Sequence, residues 1–143
     1  MSPPGRIAVL ALRALAGLIF LGAGVAKLFL IPFASILVQV GVPFPGPVAW
    51  AVAFLEVGGG LVLLGGAFAP AVARLTRPFA ALLALEMAAA MLTVGLPGVQ
   101  GRPVMLEGRP IGTEPFRIWL ELGLFLLMVY LVRNPRPFPE KGP

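Results

Sequence analysis

Phe54-Leu55-Glu56-Val57-Gly58-Gly59-Gly60-Leu61-Val62-Leu63-Leu64-Gly65-Gly66 sets a single carboxylate inside an apolar, glycine-rich run. From Val48 to Phe68 Glu56 is the only charged residue, and about 20 apolar residues suffice to cross a bilayer. An ionised carboxylate at the centre of a membrane helix costs roughly 2.5–3.5 kcal/mol on insertion scales, so such a group faces a bundle interior and takes a partner. Glycines beside it let a second helix approach the backbone closely. The stretch therefore predicts a packed transmembrane helix whose neighbours supply Glu56 with company.

The whole chain agrees with that reading. It has 143 residues, 59% of them hydrophobic and 12% charged, against about 45–50% and ~25% for a soluble domain. One integral membrane domain over residues 1–143 is expected. Cysteine, histidine and aspartate are all absent. Their absence excludes a thiol relay, a thiolate metal site and His-ligated haem, and no metal site is expected. A net charge of +5 would point to nucleic acid in a soluble protein. Here the basic residues lie at the ends of apolar runs, so they report topology, and no nucleic-acid partner is expected.

The predicted fold class is all-α, a four-transmembrane-helix bundle with spans at about 7–31, 48–68, 78–96 and 116–132. Residues 1–5, with Pro3-Pro4, read as a short tail. A signal peptide is the rival for the first span, since Arg6 precedes an apolar stretch and Gly24-Val25-Ala26 resembles a cleavage site. Arg13, inside the apolar core, argues against it. After the first span Phe33, Ile36, Leu37 and Val40 share one helical face, which predicts a short interfacial helix before the Gly41-Val42-Pro43 turn. Ala69 to Arg77 is a tight connection. Pro78 suits a first helical turn, and Ala80, Ala84 and Ala88 make a small-residue packing stripe. The polar stretch from Pro97 to Pro115 carries two Gly-Arg-Pro triplets, which would frame a small hairpin at Val104-Met105-Leu106. Thr113-Glu114-Pro115 reads as the start of the last helix.

Four spans put both termini and the 69–77 connection on one side. That side holds Arg6, Arg74, Arg77, Arg133, Arg136 and Lys141 against Glu140 alone. On the other side Arg102 and Arg109 balance Glu107 and Glu114. The basic side is therefore expected to be cytoplasmic, with Trp50 and Trp119 as anchors at the opposite interface.

Depths follow from ~1.5 Å of rise per residue. Glu121, Glu56 and Glu86 fall roughly 8, 12 and 15 Å below the outer surface. Lys27 lies near the outer end of the first helix, and Arg117 sits one turn from Glu121, an i,i+4 pair. Lys27 is expected to pair with Glu56, leaving Glu86 unpaired. Arg13 stands apart, ~9 Å above the basic surface, able to snorkel or to reach inward. The six residues Lys27, Glu56, Glu86, Glu121, Arg117 and Arg13 are the candidates for ligand binding or proton handling; no catalytic residue stands out. Read plainly, they are buried pairs that fix helix register. Read functionally, they line a polar cavity open to the outside and closed toward the cytoplasm.

Arg13, then Leu18-Ile19-Phe20-Leu21 and Gly24-Val25-Ala26-Lys27-Leu28, is similar to the first-helix pattern of DoxX proteins. Gly41-Val42-Pro43, followed by Phe54 to Leu61 and Leu64-Gly65, resembles the second-helix signature of the same family. The resemblance covers the first three spans and reaches the fourth mainly through Glu121. It implies a compact four-helix protein of the bacterial inner membrane, with relatives linked to redox work, including a subunit of a thiosulfate:quinone oxidoreductase and partners in oxidative-stress complexes. The chain departs from some relatives in having no cysteine, and it carries no nucleotide or flavin motif.

The expectation is a DoxX-like membrane protein with an outward-facing charged cavity, serving as a subunit or accessory of a quinone-linked redox system. It would have no cofactor of its own beyond a bound quinone. Lys27 and Arg117 would donate to a quinone oxygen, and Glu56, Glu86 or Glu121 would handle the proton. The electron donor would be another protein, and the lipid bilayer is the other expected partner. The alternatives are a small-molecule transporter or carrier using the same glutamates, and a membrane scaffold or assembly factor.

Overall fold

The computed structural model describes residues 3–111, 113 and 115–134. Its long helices are α1 (Pro3–Phe29), α3 (Pro45–Phe68), α5 (Thr76–Ala90) and α7 (Pro115–Arg133), with short helices α2 (Phe33–Gln39), α4 (Pro70–Ala73) and α6 (Leu96–Val99) between them. A π-turn, Met91–Gly95, joins α5 to α6, and strands β1 (Val104–Leu106) and β2 (Arg109–Ile111) form an antiparallel hairpin. Among the described residues three helical stretches are long and apolar enough to cross a membrane: Ile7–Phe29, Pro45–Phe68 and Thr76–Val99.

Proline sets most of the boundaries. Pro45 and Pro70 open α3 and α4 in the first turn, where the missing N–H has no partner to lose. The same rule corrects the tail expected at residues 1–5, because α1 begins at Pro3. The third span was expected to stop before Pro97, yet the chain stays helical to Val99. A proline withholds the hydrogen bond to the carbonyl four residues back. Here the π-turn directly before α6 widens the spiral and absorbs that loss. The 69–77 connection likewise contains α4. Glu114 lies outside the described residues, so the helix start expected there is described only from Pro115.

Helix α1 lies along α3, α5 lies along α7, and α3 against α5 joins the two pairs. In α3 the buried positions Ala53, Glu56, Gly60, Leu63 and Ala67 fall at helical spacing on one face. That face meets α1 backbone to backbone. A Cβ on Gly60 would stand 2.7 Å from both Gly17 O and Leu21 N, where no side chain fits. Ala16 and Phe20 of α1, Leu63 of α3, Ala80, Leu83 and Ala84 of α5, and Met128 and Leu131 of α7 fill the space between. Ile7, Leu15, Leu18, Leu61, Leu85 and Leu126 point outward and are each more than half exposed. So large an apolar exterior fits lipid rather than water.

A second cluster stands at one end of the helices. Ile36 of α2, Val94 of the π-turn and Val104 of β1 are buried together, with Phe33, Val40, Leu106 and Ile111 packed around them. The apolar face expected of α2 is thus its contact with the hairpin and the π-turn. The hairpin turns on Glu107 and Gly108, whose φ values of 50° and 77° are those of a two-residue type I′ turn. Gln39 clips the hairpin to α2: its Nε2 donates to Met105 O at 2.6 Å, and its Oε1 accepts from Met105 N at 2.9 Å.

Candidate functional site

Lys27 occupies the last turn of α1, where a cation also complements the helix dipole. Its Nζ donates to Glu56 Oε1 of α3 and lies 3.6 Å from Glu86 Oε1 of α5. The ring of Phe33 is 4.9 Å from the same nitrogen, a cation–π contact. Glu86 was expected to be unpaired; instead Lys27 bridges both carboxylates. The side chain of Glu56 is 1% exposed, that of Glu86 10% and that of Lys27 16%. On α7, Arg117 Nε donates to Glu121 Oε1 at 2.9 Å across one helical turn.

All five of these residues border one cavity of about 480 Å³. Apart from Thr93 the remaining walls are apolar, among them Phe20, Val52, Met87 and Leu124 from the helices and Leu106 and Ile111 from the hairpin. A smaller hollow of about 190 Å³ lies between the end of α1 and the start of α3 and shares Lys27, Ile31 and Phe33 with the larger one. The α2–hairpin cluster forms part of the cavity wall.

Close approach of the π-turn to α7 positions Glu121. A Cβ at Gly95 would come 2.9 Å from Glu121 Oε2 and 3.4 Å from Ile118 Cγ1, so a larger residue there would push the carboxylate out of its present position. π-turns recur at functional sites because they re-aim the residues around them. The three glutamates are not grouped as a metal site, and among the described residues no set of three or more His, Cys, Asp or Glu is.

Arg13 is not part of this constellation. It lies fourteen residues before Lys27 on α1, roughly 21 Å along the axis. There it is fully buried, and its Nη2 donates to Thr76 Oγ1 at the start of α5. Of the two courses open to it, Arg13 takes the inward one. Sequence reading missed Thr76, although it is the one hydroxyl at that end of the third span. It also missed Gln39 and the Phe33 ring over Lys27, whose roles depend on how α2 docks.

Apolar helices of membrane-crossing length, with the charged groups turned inward, define a multi-pass membrane protein. A sequence model of the DoxX family matches residues 8–96, and the chain belongs to that family. The match takes in Arg13, Lys27, Glu56 and Glu86 and stops before Arg117 and Glu121. No curated protein and no solved structure matches the chain.

Proposed function

We propose that this chain is a four-span membrane protein that binds a small amphipathic molecule in the cavity between its helices, as a ligand-binding subunit or accessory of a quinone-linked redox system. One observation carries the reading. Each of the four long helices contributes a charged side chain to a single hollow of about 480 Å³. Charges that only fixed register would be as well served by tight pairs with no space beside them. The apolar walls suit the body of a ligand drawn from the bilayer, and the charged end orients its head.

Helix α7, with 19 residues, extends about 28 Å, near the ~30 Å of a hydrocarbon core, and serves as the fourth span. Both termini then share the basic side, which is cytoplasmic in a bacterial inner membrane, and the cavity faces outward. In the redox setting electrons come from a partner protein, because no side chain at the site carries them. The glutamates hold and pass the proton that accompanies quinone chemistry.

The test is chemical analysis of protein purified in mild detergent, set beside the cavity-filling variant Ala90→Trp. Wild type is expected to carry a small molecule in near-stoichiometric amount, and the variant to lose it at an unchanged melting temperature. Equal content in both would sink the cavity as the binding site.

A further inference from the structure

We infer that the site selects ligands whose polar head donates hydrogen bonds, an ammonium or a hydroxyl, over heads that only accept them. This rests on the ligand-binding reading above and names the chemistry of the ligand. The observation is a surplus of acceptors. Glu56 Oε2, Glu86 Oε2 and Glu121 Oε2 are all buried, and none has a hydrogen-bond partner among the described residues. All three belong to side chains at least nine-tenths buried that line the cavity.

The two cations nearby are held to Oε1 of the carboxylates and leave the three Oε2 atoms without a donor. Lys27 serves Glu56 and Glu86, and Arg117 serves Glu121. Thr93, the one hydroxyl on the wall, donates to Ala89 O at 2.7 Å. At 3.6 Å from Lys27, Glu86 has charge compensation but no hydrogen bond of normal length. A buried acceptor left without a donor is costly. The terminal torsion of a glutamate is broad and roughly two-fold, so each carboxylate can turn its unused oxygen toward the hollow. A ligand bearing N–H or O–H groups satisfies those oxygens directly. An acceptor-only head, such as a quinone carbonyl, can supply nothing to those oxygens and competes with them for the remaining N–H groups of Lys27 and Arg117. Three carboxylates against two cations tilt the balance the same way.

The experiment uses full-length protein in lipid nanodiscs and three probes: a butyl-substituted benzoquinol, the quinone made from it by oxidation, and 4-phenylbutylamine. Quinol and quinone share a skeleton and differ in the two O–H donors. Calorimetric titration, corrected for partition into empty nanodiscs, is expected to give at least ten-fold tighter binding of one or both donor probes than of the quinone. A leading amine identifies a cationic ligand, and a leading quinol a neutral one. Glu86→Gln supplies an amide donor where a carboxylate stood. It should cut the donor preference at least ten-fold by raising quinone affinity, a gain that a misfolded variant would not show. Glu107→Gln, in the hairpin turn, should leave the ratio unchanged. Quinone binding as tightly as both donor probes would overturn the inference and leave the ligand cavity standing. Absence of binding by all three would overturn both.

Discussion

Replacing Lys27 by Met removes the cation that bridges Glu56 and Glu86. Methionine preserves the apolar stem and deletes the charge, so the loss is electrostatic more than steric. Breaking a buried pair by deleting one member costs roughly 3–5 kcal/mol, because the remaining charge stays buried without compensation. The Lys27 side chain keeps 16% of its exposure, and any water reaching it screens the pair, so the lower end, about 3 kcal/mol, is expected. Because two carboxylates depend on this lysine, adding Glu56→Gln recovers only part of the loss. The triple variant Lys27→Met, Glu56→Gln, Glu86→Gln removes every charge in the group and should return to within about 1 kcal/mol of wild type. Unfolding in mixed micelles of rising SDS fraction, followed by far-UV circular dichroism, measures all four proteins. If single, double and triple variants lose equal stability, Lys27 is not coupled to either glutamate and the bridge has no energetic role.

Gly60→Ala should destabilise the α1–α3 contact by about 1–3 kcal/mol, since its Cβ meets the backbone of Gly17 and Leu21 at 2.7 Å; the same unfolding assay reads it, and a neutral result would show that the helices separate without cost. Single cysteines at Ser2 and Gly101 should label with an impermeant reagent from opposite faces of the membrane. Labelling of both from one face would overturn the four-span topology.

Much of this arrangement was legible in the sequence because charges are scarce within its apolar spans. Glu56 needed a cation at its own depth, and Lys27 was the one cation on the first span near the same end. Arg117 and Glu121 were legible from spacing alone, since residues four apart share a helix face. What stayed hidden depends on the rotation and offset between helices. Lys27 reaches Glu86 as well because Leu83 seats against Gly59 and fixes the register of α5 on α3. The π-turn has no periodicity signal of its own; it follows from how the helix accommodates Pro97. The hairpin framed by the Gly-Arg-Pro triplets is present, but its docking on α2 depends on Gln39 and Met105, a pair 66 positions apart in the chain.

The two buried polar centres of this protein are built differently, and the difference bears on function. At the α5 start, Arg13 is closed in completely: Thr76 accepts from its guanidinium, and a Cβ at Gly66 would meet Ala73 Cα and Thr76 Oγ1, each at 3.2 Å. Neither hollow near Lys27 borders it, and its contact with Thr76 ties α1 to α5. At the other end five charged groups surround a hollow, three carboxylate oxygens lack donors among the described residues, and the wall includes a hairpin fastened by one hydrogen bond donated by Gln39 and one accepted by it. Register alone would be met by the first kind of construction at both ends. Keeping unsatisfied acceptors in an apolar interior works against stability, and proteins retain such groups where a ligand or a proton uses them. The physical asymmetry between a fully buried arginine and a carboxylate cluster beside a hollow is what supports the binding proposed at the Lys27 end.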